Sequence, residues 1–308
     1  MTRSAIDVVH VGSASRDLAP DDPRGWRLGG GVAYAALATA RLGLRTAAFV
    51  GADDAMVDSP ELDLLRASGV DLKVIRLEEA PVFENYETPD GRVQVCHAVG
   101  RPLDLPAIEP SWLASAGWSI VPVAGEVSDS WAAVVPDGAY LAVGWQGMLR
   151  NLSAGQVVTR RPPEPSRLLR RADLVGVSRT DVRSELSASD LAAFLKPGAD
   201  LLITEGRIGG GLMRVGRVGL GREIRYRPTG ADVEVDPTGA GDTFLAALLA
   251  SVLRPQLAGG TSSEREPNLP FAAAAGSLVV EGPGLAAVPI WAAVVERQAR
   301  DPGRPGET

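Results

Sequence analysis

Cysteine and histidine are almost missing from this chain: one Cys, at position 96, and two His among 308 residues. A lone cysteine cannot close an internal disulfide, so a reducing, cytoplasmic compartment is the expectation. Cys96-His97 has no partners at zinc-ligand spacing and His10 stands alone, so both histidines read as structural rather than metal-binding. There is no excess of basic residues. The formal net charge of −7 argues against a nucleic acid as main partner, because such binders usually present a basic face. It leaves a nucleotide open, since backbone N–H groups can hold phosphates. The G-x-x-x-x-G-K-[ST] run of Walker-type phosphate loops is missing too. Long apolar runs are also lacking. The opening stretch 6–12 has no basic flank or small-residue cleavage pattern, and the richest later stretch, 271–280, is too short to span a bilayer. Neither a signal peptide nor a membrane partner is expected.

What is present is an ordinary globular composition, 45% apolar and 22% charged, patterned as strands alternating with helices. Residues 6–12 (IDVVHVG) and 46–51 (TAAFVG) read as buried strands around an alanine-rich helix, 32–42, that Gly43 stops. Ser59-Pro60-Glu61 opens another helix that ends near Gly69. Residues 119–123, 140–143, 174–177 and 201–204 are further strand candidates. The pattern predicts an α/β fold: one domain over 1–308, with a mainly parallel sheet covered by helices. Two stretches break the rhythm. Residues 82–99 read as a hairpin around Thr88-Pro89-Asp90-Gly91, a candidate lid to which 13–28 is a candidate contribution, and 211–227 reads as a second hairpin. Residues 254–270 read as loop and 301–308 as a frayed tail.

The segment that carries chemistry is 234–250, EVDPTGAGDTFLAALLA. A strand-like 233–235 leads into a glycine turn and then an apolar helix. Gly239 and Gly241 let the backbone approach a ligand closely, and the helix start offers unpaired N–H groups and the positive end of its dipole. Together they suit a transferring phosphoryl group, with Asp242 placed to meet a hydroxyl. On the residues alone, an acidic helix cap after a glycine turn explains the segment equally well.

DPTGAGDTF resembles the second signature of the ribokinase-like, or PfkB, carbohydrate kinases, and other segments match in the expected order. Gly29-Gly30-Gly31 with the Ala-rich helix and Arg41-Leu42-Gly43 resembles the first signature. The resemblance implies a three-layer ribokinase-like fold with a small β lid. It implies Asp242 as general base, with Gly239, Ala240 and Gly241 in the anion hole. Asp17, Gly30, Gly31 and Tyr34 would face the acceptor, with Asn85 and Arg92 reaching from the lid. Thr204, Gly206 and Gly209 are similar to the nucleotide-side turn, with Gly282 and Gly284 in the late adenine-side loop. Asp236 and Thr238 would lie beside a monovalent cation such as K+. The implied reaction is ATP- and Mg2+-dependent phosphorylation of a sugar or cyclic polyol, with a homodimer through the lid as a candidate assembly.

Two departures and one further likeness bear on the site. Tyr34 stands where the family has a sugar-binding asparagine; it offers an aromatic face and a hydroxyl, or it merely packs. The magnesium motif N-x-x-E is here Ser178-Arg179-Thr180-Asp181, keeping a carboxylate, Asp181, on a shorter stem. Phe83-Glu84-Asn85-Tyr86 with Gly91-Arg92 resembles family members acting on sugars or inositols, although a solvated hairpin face accounts for it as well. Gln146 follows a strand, at the end where α/β ligands bind, and is a further substrate-side candidate. A nucleoside kinase, with Tyr34 stacked on a base, and a catalytically weak ligand-binding protein remain the alternatives.

Overall fold

A computed structural model describes residues 5–88, 91–260 and 266–300, apart from the side chains of residues 87, 91 and 92. The expectations for Pro89-Asp90 and for the 301–308 tail therefore lie outside the described residues.

The strands are β1 (Val8–Ser13), β2 (Ser15–Leu18), β3 (Trp26–Gly29), β4 (Thr46–Ala52), β5 (Asp71–Arg76), β6 (Val82–Thr88) and β7 (Gly91–Ala98). They continue with β8 (Gly117–Ile120), β9 (Tyr140–Gly144) and the two-residue β10 (Arg150–Asn151), β11 (Gln156–Val157) and β12 (Thr159–Arg160). The last four are β13 (Leu174–Ser178), β14 (Asp200–Thr204), β15 (Gly210–Val215) and β16 (Leu220–Tyr226). The α-helices are α1 (Gly31–Arg41), α2 (Pro60–Ala67), α3 (Pro110–Leu113), α4 (Arg167–Arg171), α5 (Ala188–Ala192), α6 (Ala240–Leu253), α7 (Leu269–Val279) and α8 (Trp291–Arg300).

The main sheet runs β16-β15-β14-β13-β9-β8-β1-β4-β5. From β14 to β5 every neighbouring pair is parallel, and the β15–β16 hairpin adds two antiparallel strands at one edge. β1 and β4 are buried at every residue, as expected of central strands covered on both faces. Their unbroken Val-Val-His-Val and Ala-Ala-Phe-Val runs meet that demand. On one side α1 packs on α6, α6 on α7 and α7 on α8. The first three are rich in alanine and leucine because they are wrapped by protein nearly all round. α2 begins as its sequence says, with Ser59 accepting from Leu62 N–H and Pro60 at the first position.

A second sheet, β11-β7-β6-β2-β3, stands beside the first. Phe83 and Cys96 on its inner face pack on Val123, in the loop after β8, and this small apolar cluster seats it. β2 follows β1 after a single residue, so the second sheet begins where the central strand ends.

Two strand expectations fail. Residues 233–235 form no strand: Val233 and Val235 are each 56% exposed, and the N–H of Val235 bonds to the carbonyl of Val280 at the end of α7. An alternating Val-Glu-Val pattern finds no strand edge to pair with there. The strand expected at 119–123 is Gly117–Ile120 instead. Pro122 has no N–H to give a ladder, and the N–H groups of Val123 and Ala124 turn to the Glu126 carboxylate. β5 shows no strand signal clear enough to anticipate, being a half-buried edge of mixed polarity.

Candidate active site

The strands β9, β13 and β14 end on a cavity of about 1450 Å³ that the second sheet partly roofs. Ligands of open parallel sheets bind at such carboxyl ends.

Gly239 caps α6 in the left-handed region, φ 80° and ψ 0°, where an L side chain is strained. A Cβ on it would also lie 2.2 Å from two ring carbons of Tyr34, so ring and turn are in direct contact. The first backbone bond of the helix proper is Thr243 N–H to Gly239 O, 2.8 Å. The N–H groups of the turn before it lie at the positive end of a fourteen-residue helix. Asp242 is in that first turn. Its Oδ1 would be 2.6 Å from a Cβ on Gly31, so the side chain lies against the first residue of α1. Burial pushes the Asp242 carboxyl up to about 6; Arg150 opposes the shift, while Asp181 and Asp17 add to it.

Asp17, on β2, accepts from Ser15 Oγ at 2.9 Å and crowds Gly29, where a Cβ would sit 2.2 Å from Asp17 Oδ2. Both acids are thus packed against the glycine run 29–31, where the chain passes from β3 to α1. Gly30 takes φ 95° there. Asn85 on β6 accepts from Gln94 Nε2 across the β6–β7 pair, 2.9 Å, which leaves the Asn85 amide N–H groups for the cavity. Ser178 caps the short turn Arg179–Asp181 by accepting from Thr180 N–H, and so orients Asp181. Gln146 Nε2 lies 3.3 Å from both Asp181 oxygens, making Gln146 a partner of that carboxylate. Burial raises the Asp181 carboxyl above the usual range, with Arg150 and Gln146 pulling the other way.

One cavity therefore brings together Asp17, Gly30, Gly31, Tyr34, Asn85, Gln146, Asp181, Thr204, Gly206, Thr238 and the 239–242 turn. The side chain of Arg92 lies outside the described residues. Gly209, Gly282, Gly284 and Asp236 do not line the cavity. Gly209, at φ 109°, makes room for the carbonyl of Tyr226. A Cβ on Gly282 would meet Ala287 at 3.1 Å. The Asp236 carboxylate accepts from Thr238 N–H (2.9 Å) and from Gly284 N–H (3.4 Å), tying the glycine turn to the loop after α7. His10 bonds Thr39 and His97 pairs with Glu84, each away from the cavity.

Two residues were missed by sequence reasoning. Glu126 is buried and takes backbone N–H bonds from Ser13, Val123 and Ala124, which fixes the ends of β1 and β8 beneath the site. Arg150 donates from Nη1 to Val123 O, 3.0 Å, and its guanidinium lies 5.5 Å from the centroid of the Phe83 ring. Burial lowers its pKa, and the acids that counter this are Asp181, Asp242, Asp17 and Glu126. An arginine in Met-Leu-Arg-Asn carries no local motif that would have flagged it.

As for magnesium, the Asp181 carboxylate, one of several that line the cavity, is a fitting hard oxygen donor for an ion that keeps several waters and donor phosphates. For a monovalent cation, each Asp236 oxygen accepts one N–H group and keeps a further lone pair.

Residues 166–292 match the pfkB family carbohydrate kinase. None of the curated proteins compared with the chain matches it. Among solved structures, the Arabidopsis thaliana ribokinase complexed with ribose and ATP is similar at 21% identity, over 95% of this chain and 98% of that one, TM-score 0.66. A pyrophosphate-dependent kinase in the ribokinase family, complexed with a pyrophosphate analog and myo-inositol, is similar at 20% identity over 90% and 96%, TM-score 0.65. A Methanocaldococcus jannaschii nucleoside kinase follows at 16% identity over 96% and 99%, TM-score 0.66.

Proposed function

We propose that this chain, whose residues 166–292 match the pfkB family carbohydrate kinase and whose fold is that of the ribokinases, is a kinase of that family and that its reaction is transfer of the ATP γ-phosphoryl group to a hydroxyl of a small neutral sugar or cyclic polyol. The observation that carries this reading is the meeting of Asp242, Asp17 and the α6 turn in one cavity. Asp242 takes the hydroxyl proton. The freed oxygen bonds to the γ-phosphorus, the bond to the β–γ bridging oxygen breaks, and its electron pair leaves with ADP. The N–H groups of the 239–242 turn hold the developing charge, which is the term that usually dominates such catalysis. Asp17 accepts from neighbouring hydroxyls and Asn85 donates to them, the pairing that a vicinal diol offers. Magnesium, held through water by Asp181, would neutralise donor phosphate charge when bound.

The donor reading rests on what lines the cavity. The cavity lining also includes Pro228–Ala231 and the small residues Ala273, Gly276 and Ser277 of α7, a composition that suits a flat base. A pyrophosphate donor, used by some proteins of this fold, would leave that part of the lining unused. The acceptor reading favours a polyol over a nucleoside because the Tyr34 ring is spent on Gly239 rather than offered for stacking. Turnover of ribose, myo-inositol and adenosine with ATP or pyrophosphate tests both halves. Asp242→Asn should then lower kcat by about 10²–10⁴-fold while leaving ATP binding in place. Activity with pyrophosphate alone overturns the donor, and near-wild-type kcat in the variant overturns the base.

A further inference from the structure

We propose that Arg150 is a catalytic residue that grips the phosphoryl group in flight, its guanidinium facing the point where donor and acceptor meet. The inference rests on the kinase reading above and extends it to a residue which that reading does not use.

Arg150 sits at the end of the short turn Gln146–Leu149 that follows β9, and it lines the same cavity as Asp17, Asp181 and Asp242. Asp17, Asp181 and Asp242 line that cavity with Arg150, and together with the buried Glu126 they act electrostatically on its guanidinium. A phosphoryl group entering such a site brings more negative charge, and carboxylates alone would repel it. A fixed cation at the centre removes that penalty. The guanidinium is held from behind and not from the front. Nη1 donates to Val123 O and the plane lies by the Phe83 ring, while its other N–H groups have no hydrogen-bond partner among the described residues. A fork of unspent donors, positioned by one carbonyl and one ring, matches the paired oxygens of a phosphoryl group. The other arginines on the cavity are committed elsewhere or lie outside this cluster: Arg207, for instance, is 83% exposed and paired with Glu234. In the transfer step Arg150 neither gains nor loses a proton. It donates to non-bridging oxygens while the acceptor oxygen bonds to phosphorus, the bridging bond breaks, and Asp242 receives the proton.

The test uses the full chain with MgATP and whichever of ribose, myo-inositol or adenosine the wild type phosphorylates. Arg150→Ala should lower kcat by about 10²–10³-fold, with the acceptor KM changing far less. Guanidinium ion added at millimolar concentration should restore part of the rate. Arg150→Lys keeps the charge but loses the fork and should fall by about tenfold or more. A structural role would not move the pH profile. Here the acid limb of kcat should shift to higher pH in Arg150→Ala, because the cation that opposes the upward shift of Asp242 is gone while Asp17 and Asp181 remain, and it should stay in place in Arg150→Lys. If Arg150→Ala does not fold, the lysine variant decides. Wild-type turnover with unchanged kcat in a folded variant overturns this proposal alone. No turnover by the wild type with any acceptor overturns the kinase reading and this proposal with it.

Discussion

The ring of Tyr34 lies directly on the Cα of Gly239, so the first helix and the glycine turn of the sixth are locked together at the site. A methyl group on Gly239 would have to occupy the space of the ring at a backbone φ of 80°. Gly239→Ala should therefore lose about 10²–10³-fold in kcat as the turn's donors move. Tyr34→Ala should relieve the clash but not the backbone strain. A double-mutant cycle on kcat and thermal melting checks this: the pair should be less impaired than the sum of its parts. Strict additivity would mean that ring and turn are not coupled. Tyr34→Asn, which shrinks the side chain but keeps a polar group at this position, should shift the preference among acceptors rather than abolish turnover.

Asp242 makes activity and stability run in opposite directions with pH. Its carboxyl is raised to about 6 by burial, so the base is protonated below that pH and kcat should fall there. For an acid raised in the folded state, the linked stability is full below its ordinary value near 4 and is lost as pH rises through about 6. Asp242→Asn removes the buried charge. Its melting temperature should exceed that of the wild type at pH 8, and the gain should vanish near pH 4. Thermal melts across that range decide; a gain that persists at pH 4 would assign it to some other cause.

Asp17 and Gly29 make a matched pair. Asp17→Ala removes a carboxylate read as holding acceptor hydroxyls, so the acceptor KM should rise or kcat/KM should fall, by up to about 1.5–3 kcal/mol. ATP affinity should stay the same. Gly29→Ala, with its new Cβ 2.2 Å from the carboxylate oxygen, should reproduce the defect in part without touching the acid itself. Acceptor kinetics at saturating ATP, with melts to confirm folding, check both. An unchanged acceptor profile in both variants would move the pocket elsewhere.

The parts legible in the sequence are those whose causes are local. The glycine turn before Asp242 shows because turn, helix onset and apolar helix are contiguous, and β1 and β4 show because central strands demand unbroken apolar runs. Ser59-Pro60 marks its helix by capping chemistry alone. Arg150 does not show, since Phe83 and Val123, which hold it, and Asp17, Asp181 and Asp242, which share its cavity, come from distant parts of the chain. The stretch 233–235 misleads because alternation signals a strand only where an edge is available to pair. Gln146 was legible as a residue at the right end of the right strand, but its partner was not.

Gln146 donates to both oxygens of Asp181 and fixes its carboxylate toward the cavity, so the residue acts through Asp181 rather than on the acceptor. Gln146→Leu keeps much of the bulk and removes both donors. Without them Asp181 loses a stabiliser of its charged form, and its pKa, already raised by burial, should rise further. A carboxylate that protonates more readily and swings more freely is a poorer outer partner for magnesium waters. The Mg2+ concentration that gives half-maximal activity should therefore increase in Gln146→Leu, most strongly at low pH, while the acceptor KM stays near that of the wild type. Gln146→Glu sets two acids side by side and should bind the ion no more weakly than Gln146→Leu, at the cost of stability. Magnesium titrations of initial rate at pH 6 and pH 8 separate the two roles. A raised acceptor KM with unchanged magnesium dependence would return Gln146 to the acceptor pocket and leave Asp181 without a positioning partner.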